Sequence, residues 1–300
     1  MVDPTRGVLY PARLPEFHRL PAPAEVADLV VWFWIPEWDI QPGRSSRQEV
    51  VAYPALNLVV EPSGVSLVGA TTRATHRDLA GRGWAVGALL RPAAVVALTG
   101  DPASLLDQEI ALSDTALLDG VVAAMAGGDG RRERAVAVFS QWMLARAGKP
   151  TDAARLANAA ADLLMATDVR SPEEAAARLS VSVRTLQRVV HRHVGLPPAA
   201  MIRRRRLQEA AERMRTDPSA DLAAVAGGVR LRRSRAPQHR LPHRARVLAV
   251  LLPDGVPARG RRLTSRGTGT GTGVAGRAEA TFHRRGGFSG SHSARVVPKI

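Results

Sequence analysis

The sequence predicts an α+β multidomain fold: a β-rich N-terminal sensor-like domain, then an all-α domain, then a basic tail. The 300 residues exceed the usual length of a single domain. Short apolar runs bounded by Pro, Gly and Asp fill the first third, whereas helical apolar spacing dominates from about 151 to 226. We therefore place a β-rich domain at 1–113, a helical linker at 114–150, a helical domain at 151–229 and the tail at 230–300.

The N-terminal domain contains three apolar runs of strand length, at 29–35, 56–60 and 84–90. They favour a small barrel. Trp32 and Trp34 in the first run, and Trp38 just after it, share one side of the strand and its exit. They could line a ligand pocket, but core packing or a domain contact is the favoured interpretation. Further along the chain, helical patterns are expected at 102–106, 114–125 and 131–147.

The net charge of +15 is concentrated in the tail. Residues 230–300 hold 16 basic and two acidic residues, a charge of +14, which leaves +1 for the first 229 residues. The overall charge is therefore no indication that the folded part binds nucleic acid. The tail itself is expected to be disordered. If it is a genuine product, its charge would bind DNA nonspecifically through phosphates.

Several function classes are excluded or disfavoured. The chain has no cysteine, which rules out a disulfide framework, a thiolate zinc site and a cysteine nucleophile. We find no signal peptide and no apolar run of membrane-spanning length, so we expect a cytoplasmic protein with no membrane partner. No nucleophile elbow, carboxylate pair or metal-ligand spacing occurs, and the glycine-rich letters at 271–276 lack a strand and helix around them. We predict no enzyme, no metal and no cofactor.

A compact pattern at 171–193 predicts two helices joined by a tight turn. Ser171 and Pro172 suit the start of the first helix at 173–179, where Glu174 would complete a capping box. Alanines in this helix allow a neighbouring helix to approach closely. A two-residue turn follows, and Ser182 then caps a second helix at 183–193. The pattern combines a helix of small residues, a short turn and a capped basic helix. Together these features favour a helix-turn-helix.

The outer face of helix 183–193 has the side chains needed to read DNA bases. Arginine pairs with guanine O6 and N7, and glutamine pairs with adenine N6 and N7. Arg184, Gln187 and Arg188 are spaced to project together, and Thr185 and Ser182 lie at the same end. The alternative is the solvated face of a packed helix. The complete pattern around the helix favours DNA reading.

A long helix is predicted at 198–215, and it carries four consecutive arginines from 203 to 206. Some of these arginines are expected to contact phosphate, and Arg203 and Arg204 are our candidates. A solvated helix face is the alternative here as well.

The helical domain resembles the AraC/XylS-type transcriptional regulators. The matching segments are AAARLSVSVRTLQR at 175–188, GLPP at 195–198, RLQEAA at 206–211 and DLAAVA at 221–226. The resemblance implies two helix-turn-helix units joined by the long helix, each reading a segment of the major groove of double-stranded DNA. It places Arg184, Gln187 and Arg188 at base-reading positions of the first unit.

Residues 8–112 look similar, more loosely, to the N-terminal domain found on some of these regulators. This similarity implies ligand sensing or dimerisation, so a small-molecule effector and a second copy of the chain are expected partners. The effector, the operator, and activation as opposed to repression do not follow from the sequence.

The second helix-turn-helix unit loses the family pattern after Ala226. Pro237 and Pro242 interrupt any helix where a recognition helix should follow. We hypothesise a reading-frame shift near 227–229, because reading one base later permits the string FGYADHAHLSTDFRT that the family pattern requires. The second reader would then be missing, and affinity and specificity would both fall. Resequencing this locus tests the hypothesis.

Two other functions were weighed against a DNA-binding regulator. One is a protein-interaction module, with a β-rich ligand-binding domain and a helical bundle that does not contact DNA. The other is an enzyme built on the N-terminal domain, which would need an acid-base or nucleophile cluster in its cavity.

Overall fold

A computed structural model describes residues 16–50, 53–71 and 75–216, all of which belong to one compact unit. The predicted tail and the second helix-turn-helix unit lie outside these residues. Among the helices described, none combines the length and apolar character needed to cross a membrane.

The described residues of the N-terminal part form nine antiparallel strands, which confirms the β-rich prediction. The strands are β1 (Glu16–Pro21), β2 (Val30–Asp39), β3 (Ser45–Val50), β4 (Asn57–Glu61), β5 (Gly64–Val68), β6 (Thr75–Ala80), β7 (Arg82–Trp84), β8 (Val86–Leu90) and β9 (Glu109–Leu112). Seven of them form one sheet in the order β1-β2-β8-β4-β5-β9 with β7 also paired to β2, and β3 and β6 form a separate pair. The three predicted apolar runs fall on β2, β4 and β8.

Alternation along β2 decides which face of the large sheet is buried. Phe33 and Ile35 are fully buried, and the Phe33 ring meets Phe139 edge-on at 5.4 Å between centroids. Trp32 and Trp34 point to the opposite face and stay half-buried, as strand geometry requires for neighbouring positions. The sheet therefore packs one face on helices and leaves an aromatic face opposite.

Seven α-helices complete the described chain, and the three helices predicted at 173–179, 183–193 and 198–215 lie within one residue of those bounds. The stretch at 102–106 is an exception, because it forms turns. Asp101 Oδ1 accepts from the backbone N–H groups of Ala103 and Ser104, and Asp107 adopts a left-handed φ of +56° that prevents a helix from continuing. The helices are α1 (Pro92–Val95), α2 (Thr115–Ala126), α3 (Arg131–Ala147), α4 (Asp152–Met165), α5 (Pro172–Arg178), α6 (Val183–Val194) and α7 (Pro198–Thr216).

Two hydrophobic cores meet at α4. Ala154 belongs to the core beneath the sheet, whereas Ala160 and Leu164 belong to the core formed with α5, α6 and α7. One helix thus joins the β-rich part to the helical part.

Buried polar contacts add to this connection. The Asn158 side chain accepts from the N–H of Ala93 at 2.9 Å and donates to the carbonyl of Asp28 at 2.8 Å. At the rim, Arg91 Nη2 lies 2.5 Å from Asp162 Oδ2. The sheet and its short helix α1 therefore hold the helical domain at defined points.

Candidate nucleic-acid interface

The turn between α5 and α6 is built from backbone hydrogen bonds. The N–H of Ser180 donates to the carbonyl of Ala177, and the N–H of Val181 donates to that of Ala176, both at 3.0 Å. This is the Schellman pattern, which requires a left-handed residue after the helix. Ser180 takes that role with φ of +54°, so α5 ends abruptly and the chain turns at once into α6.

Both predicted serine caps are present. Ser171 Oγ accepts from the N–H of Glu174 at 3.3 Å, and Ser182 Oγ accepts from the N–H of Thr185 at 3.1 Å. The capping box differs from the prediction, because the Glu174 carboxylate accepts from the N–H of Arg170 instead of Ser171. The Ser182 and Thr185 hydroxyls also lie 2.9 Å apart. These two side chains therefore fix the start of α6.

The two sides of α6 differ sharply. Leu186, Val190 and Val194 are buried in the helical core, whereas Arg184, Gln187 and Arg188 are exposed together as predicted. Gly195 ends the helix with φ of +81°, and its N–H donates to the carbonyl of His191. The inner face thus anchors α6, while no contact with another described residue covers the predicted reading face.

Arg192 is a further candidate that the sequence interpretation did not single out. It is exposed and lies four and eight residues after Arg188 and Arg184, which places the three arginines in one stripe. The spacing of four residues between these arginines is visible in the sequence and indicates that Arg192 shares their face. α6 contains no acidic residue, and across the described ranges none of these three arginines forms an ion pair.

In contrast to α6, the basic residue of α5 is paired with carboxylates. Arg178 donates to the carboxylates of Asp168 and Glu174, each at 2.6 Å. The hydrogen bond from Arg178 is the main cause that lowers the pKa of Asp168, whereas the N–H of Arg170 is the main cause that lowers the pKa of Glu174. Uncompensated positive charge therefore distinguishes α6 from its neighbour.

The four arginines of α7 have different environments. Arg203 is exposed, but Arg204 is only 5% exposed and its Nη2 donates to Thr71 Oγ1 at 3.1 Å. Burial lowers the pKa of Arg204 to about 10. The guanidinium of Arg204 is turned inward against Thr71, so this structure does not favour the phosphate contact predicted for Arg204.

Arg205 is buried too, and it has a positioning role. Its Nη1 lies 2.8 Å from the carbonyl of Val169 and also contacts the carbonyls of Leu164 and Ala166. These carbonyls belong to the end of α4 and the connection to α5. Burial lowers the pKa of Arg205 as well. This side chain thus ties α7 to the start of the helix-turn-helix.

The described residues contain no group of three or more His, Asp or Glu side chains placed to hold a metal ion. What the surface around α6 offers is exposed guanidinium and amide groups on a rigid, capped helix. Such groups suit hydrogen bonding to base edges and phosphate oxygens.

Residues 175–230 match a family described as a helix-turn-helix domain, and residues 18–111 match a domain family of unknown function, DUF6597. Two solved structures are weakly similar. One is an apo point variant of ToxT from Vibrio cholerae strain SCE256, with 12% sequence identity and a TM-score of 0.34. The similarity covers 65% of this chain and 86% of that chain. The other is ToxT from Vibrio cholerae O395, with 11% sequence identity and a TM-score of 0.31. The similarity covers 71% of this chain and 86% of that chain. A comparison with curated proteins gives no match.

Proposed function

We propose that this protein, whose residues 175–230 match a helix-turn-helix domain family, is a sequence-specific transcription regulator of the AraC type that inserts α6 into the major groove of double-stranded DNA. The observation that carries the proposal is the asymmetry of α6. Its apolar side is buried, and its exposed side carries Arg184, Gln187 and Arg188 without acidic neighbours on the helix.

The roles of these side chains follow from their chemistry. Arg184 and Arg188 would read guanines, and Gln187 would read an adenine, with each good bidentate pair contributing about 1–3 kcal/mol of discrimination. Arg192 lies nearer the end of the helix, where phosphate contact is the expected role. Ser182 and Thr185 hold the first turn of α6 in place, and their hydroxyls could also reach a phosphate.

Arg203 is the remaining candidate for phosphate contact from α7. Since Arg204 and Arg205 are buried, only part of the basic run is available to DNA. Fewer phosphate contacts from α7 mean a shallower dependence of affinity on salt than four exposed arginines would give.

One intact reader is proposed, because the family fold carries two and the second lies in the segment where the sequence pattern is lost. A single reader covers a short sequence, so the affinity and specificity of this chain should be lower than those of a chain with both. A ligand-binding or dimerisation role for the β-rich part belongs to the same proposal.

Selection of bound duplexes from a random pool tests the proposal. The full chain is used at a salt concentration high enough to suppress nonspecific binding by the basic tail. We expect one short motif to be enriched, and Arg184→Ala and Gln187→Ala to lose about tenfold in affinity for it, as the loss of one good base contact implies.

Arg155→Ala is the matched control, because Arg155 is an exposed arginine on α4 that pairs with Asp152 and lies outside α6. It should bind the selected duplex like the unmodified chain. If the pool yields no enriched motif, or if the α6 variants bind as well as the control, α6 does not read DNA. The protein-interaction module is then the better account.

A further inference from the structure

A cavity of about 180 Å³ lies between the β-rich part and the helical domain. One wall comes from the sheet, the residue before β4 and α1, with Trp32, Leu56 and Val95. The other wall comes from α4, α6 and α7, with Met165, Val194 and Met201. The Trp32 ring meets Tyr53, which also lines the cavity, edge-on at 4.9 Å between centroids. The space is therefore mostly apolar and partly aromatic.

The charged groups at this cavity are already compensated. Arg91 and Asp162 pair with each other at its rim, and the His193 ring donates from Nδ1 to the carbonyl of Pro92 at 3.1 Å. Each formal charge among the lining residues has a partner, although the buried Nε–H of Arg91 has no acceptor among the described residues and could donate to an oxygen of the occupant. A charged ligand would lose its hydration without gaining an opposite charge, so the lining favours an uncharged occupant.

The size of the cavity sets a limit on that occupant. An apolar protein cavity of roughly 150 Å³ binds benzene. A space of about 180 Å³ therefore suits a compact, uncharged ring compound with few substituents. Sugars do not match the apolar lining, and a long chain would have to extend out through the open side of the pocket.

The cavity also reaches the predicted reading helix. His193 and Val194, in the last turn of α6, form part of its wall. An occupant would touch the sheet, α4 and α6 at once, and would stabilise their association by adding contacts to both walls. Because Arg184 and Arg188 lie on the same helix, an occupant that favours one position of α6 over another would also change the affinity for DNA.

We propose that this cavity is an effector site for a compact, uncharged aromatic or alicyclic molecule, and that the occupant acts on α6 directly through its last turn. The regulatory half of this proposal rests on the proposed function of α6. The binding half does not, because it concerns the cavity alone.

Fluorobenzene is the probe. The full chain, labelled with ¹³C at the methionine methyl groups, is titrated with it without DNA. The methyl signals of Met165 and Met201 should shift in a saturable way, because both residues line the cavity. Met125 and Met143 are internal controls in the core beneath the sheet, and their signals should not move. Absence of saturation, or equal shifts at all four methyl groups, contradicts the site.

Filling the cavity gives a second test. Ala161 lines it, whereas Ala153 lies exposed on the same helix. Ala161→Leu should weaken fluorobenzene binding about tenfold or more, and Ala153→Leu should leave it unchanged. Equal binding by both variants overturns the proposal. If Ala161→Leu does not fold, the methyl map of the unmodified chain decides alone.

The regulatory half is tested by repeating the titration with the selected duplex present. We expect fluorobenzene affinity to change, by the same factor by which fluorobenzene changes DNA affinity. Unchanged affinity contradicts direct action on α6 while leaving the cavity site intact. Failure of DNA binding itself would be seen separately, in the duplex selection.

Discussion

His193 Nδ1 lies 3.1 Å from the carbonyl oxygen of Pro92, so the last turn of α6 is hydrogen-bonded to the first turn of α1. The carbonyl can only accept, which assigns the proton to Nδ1 in the neutral ring. His193 is 5% exposed. The helix proposed to read DNA is thus attached at its far end to the β-rich part of the chain.

The burial of His193 predicts a pH dependence of stability. Burial lowers the pKa of His193 below its ordinary value near 6.5; the Pro92 carbonyl opposes this shift and the charge of Arg192 adds to it. The unfolded chain therefore binds the proton more readily. The contribution of His193 is complete above about pH 6.5 and falls as the pH decreases from there toward the folded pKa.

Urea unfolding of the unmodified chain and of His193→Asn, between pH 7.5 and 5, measures this contribution. The asparagine amide can still donate to Pro92 but does not titrate, so the stability of the variant should fall less on acidification. The other histidines contribute equally to both chains and cancel in the difference. Parallel curves would show that His193 does not titrate differently on folding.

Asn158 is expected to be more important for stability than the ion pair beside it. Asn158→Ala leaves the N–H of Ala93 and the carbonyl of Asp28 without their partner, at a cost of about 2–4 kcal/mol. Asp162→Ala, on the same helix, removes a pair whose carboxylate is 63% exposed, and it should cost about 0–1 kcal/mol. Similar losses in urea unfolding would mean that the buried amide is not what joins the two parts.

Gly195 is constrained twice. Its φ of +81° disfavours any side chain, and a Cβ there would lie 2.6 Å from the carbonyl oxygen of Pro102. Gly195→Ala should cost about 1–2 kcal/mol for the backbone conformation, and about 1–3 kcal/mol more for the forced separation from Pro102. Gly130→Ala is the control, because Gly130 is also left-handed but a Cβ there would meet only the flexible ends of the Arg134 and Glu133 side chains.

Thermal or urea unfolding of the two alanine variants separates these costs. The excess loss in Gly195→Ala is the energy of the close approach to Pro102. Equal losses would mean that the segment around Pro102 moves away without cost, and that α6 does not depend on this contact.

Ser180 offers an opportunity to stabilise the helix-turn-helix. Its φ of +54° is strained for a residue with a side chain, and glycine removes that strain while adding flexibility to the unfolded chain. Ser180→Gly should stabilise the chain by about 0.5–1 kcal/mol, and Ser180→Ala, which keeps a Cβ, should give no gain. A loss of stability in Ser180→Gly would show that the serine side chain contributes to the turn.

The helix-turn-helix was predictable from local signals. Ser171 and Ser182 are strong helix caps, and Gly195 is a strong helix terminator. The apolar residues between them recur with helical spacing. The inward turn of Arg204 was not predictable, because consecutive arginines on a helix ordinarily face solvent. Only the packing of α7 against Thr71 and the end of α4 decides which of them is buried.

The contacts between the β-rich part and the helical domain were also not predictable from local sequence patterns. Asn158 is separated from Ala93 by 65 residues and from Asp28 by 130, and nothing in the sequence around it signals either partner. The turns at 102–106 were misassigned for a related reason, since an aspartate cap suits both a helix and a turn.

The most direct test of the central claim replaces single guanines of the selected duplex by 7-deazaguanine, which lacks the N7 acceptor that arginine reads. At one guanine the unmodified chain should lose about tenfold in affinity, while Arg184→Ala or Arg188→Ala, already lacking that contact, should lose nothing further. If the variants lose as much as the unmodified chain at every guanine, these arginines do not touch base edges and α6 is not the reader.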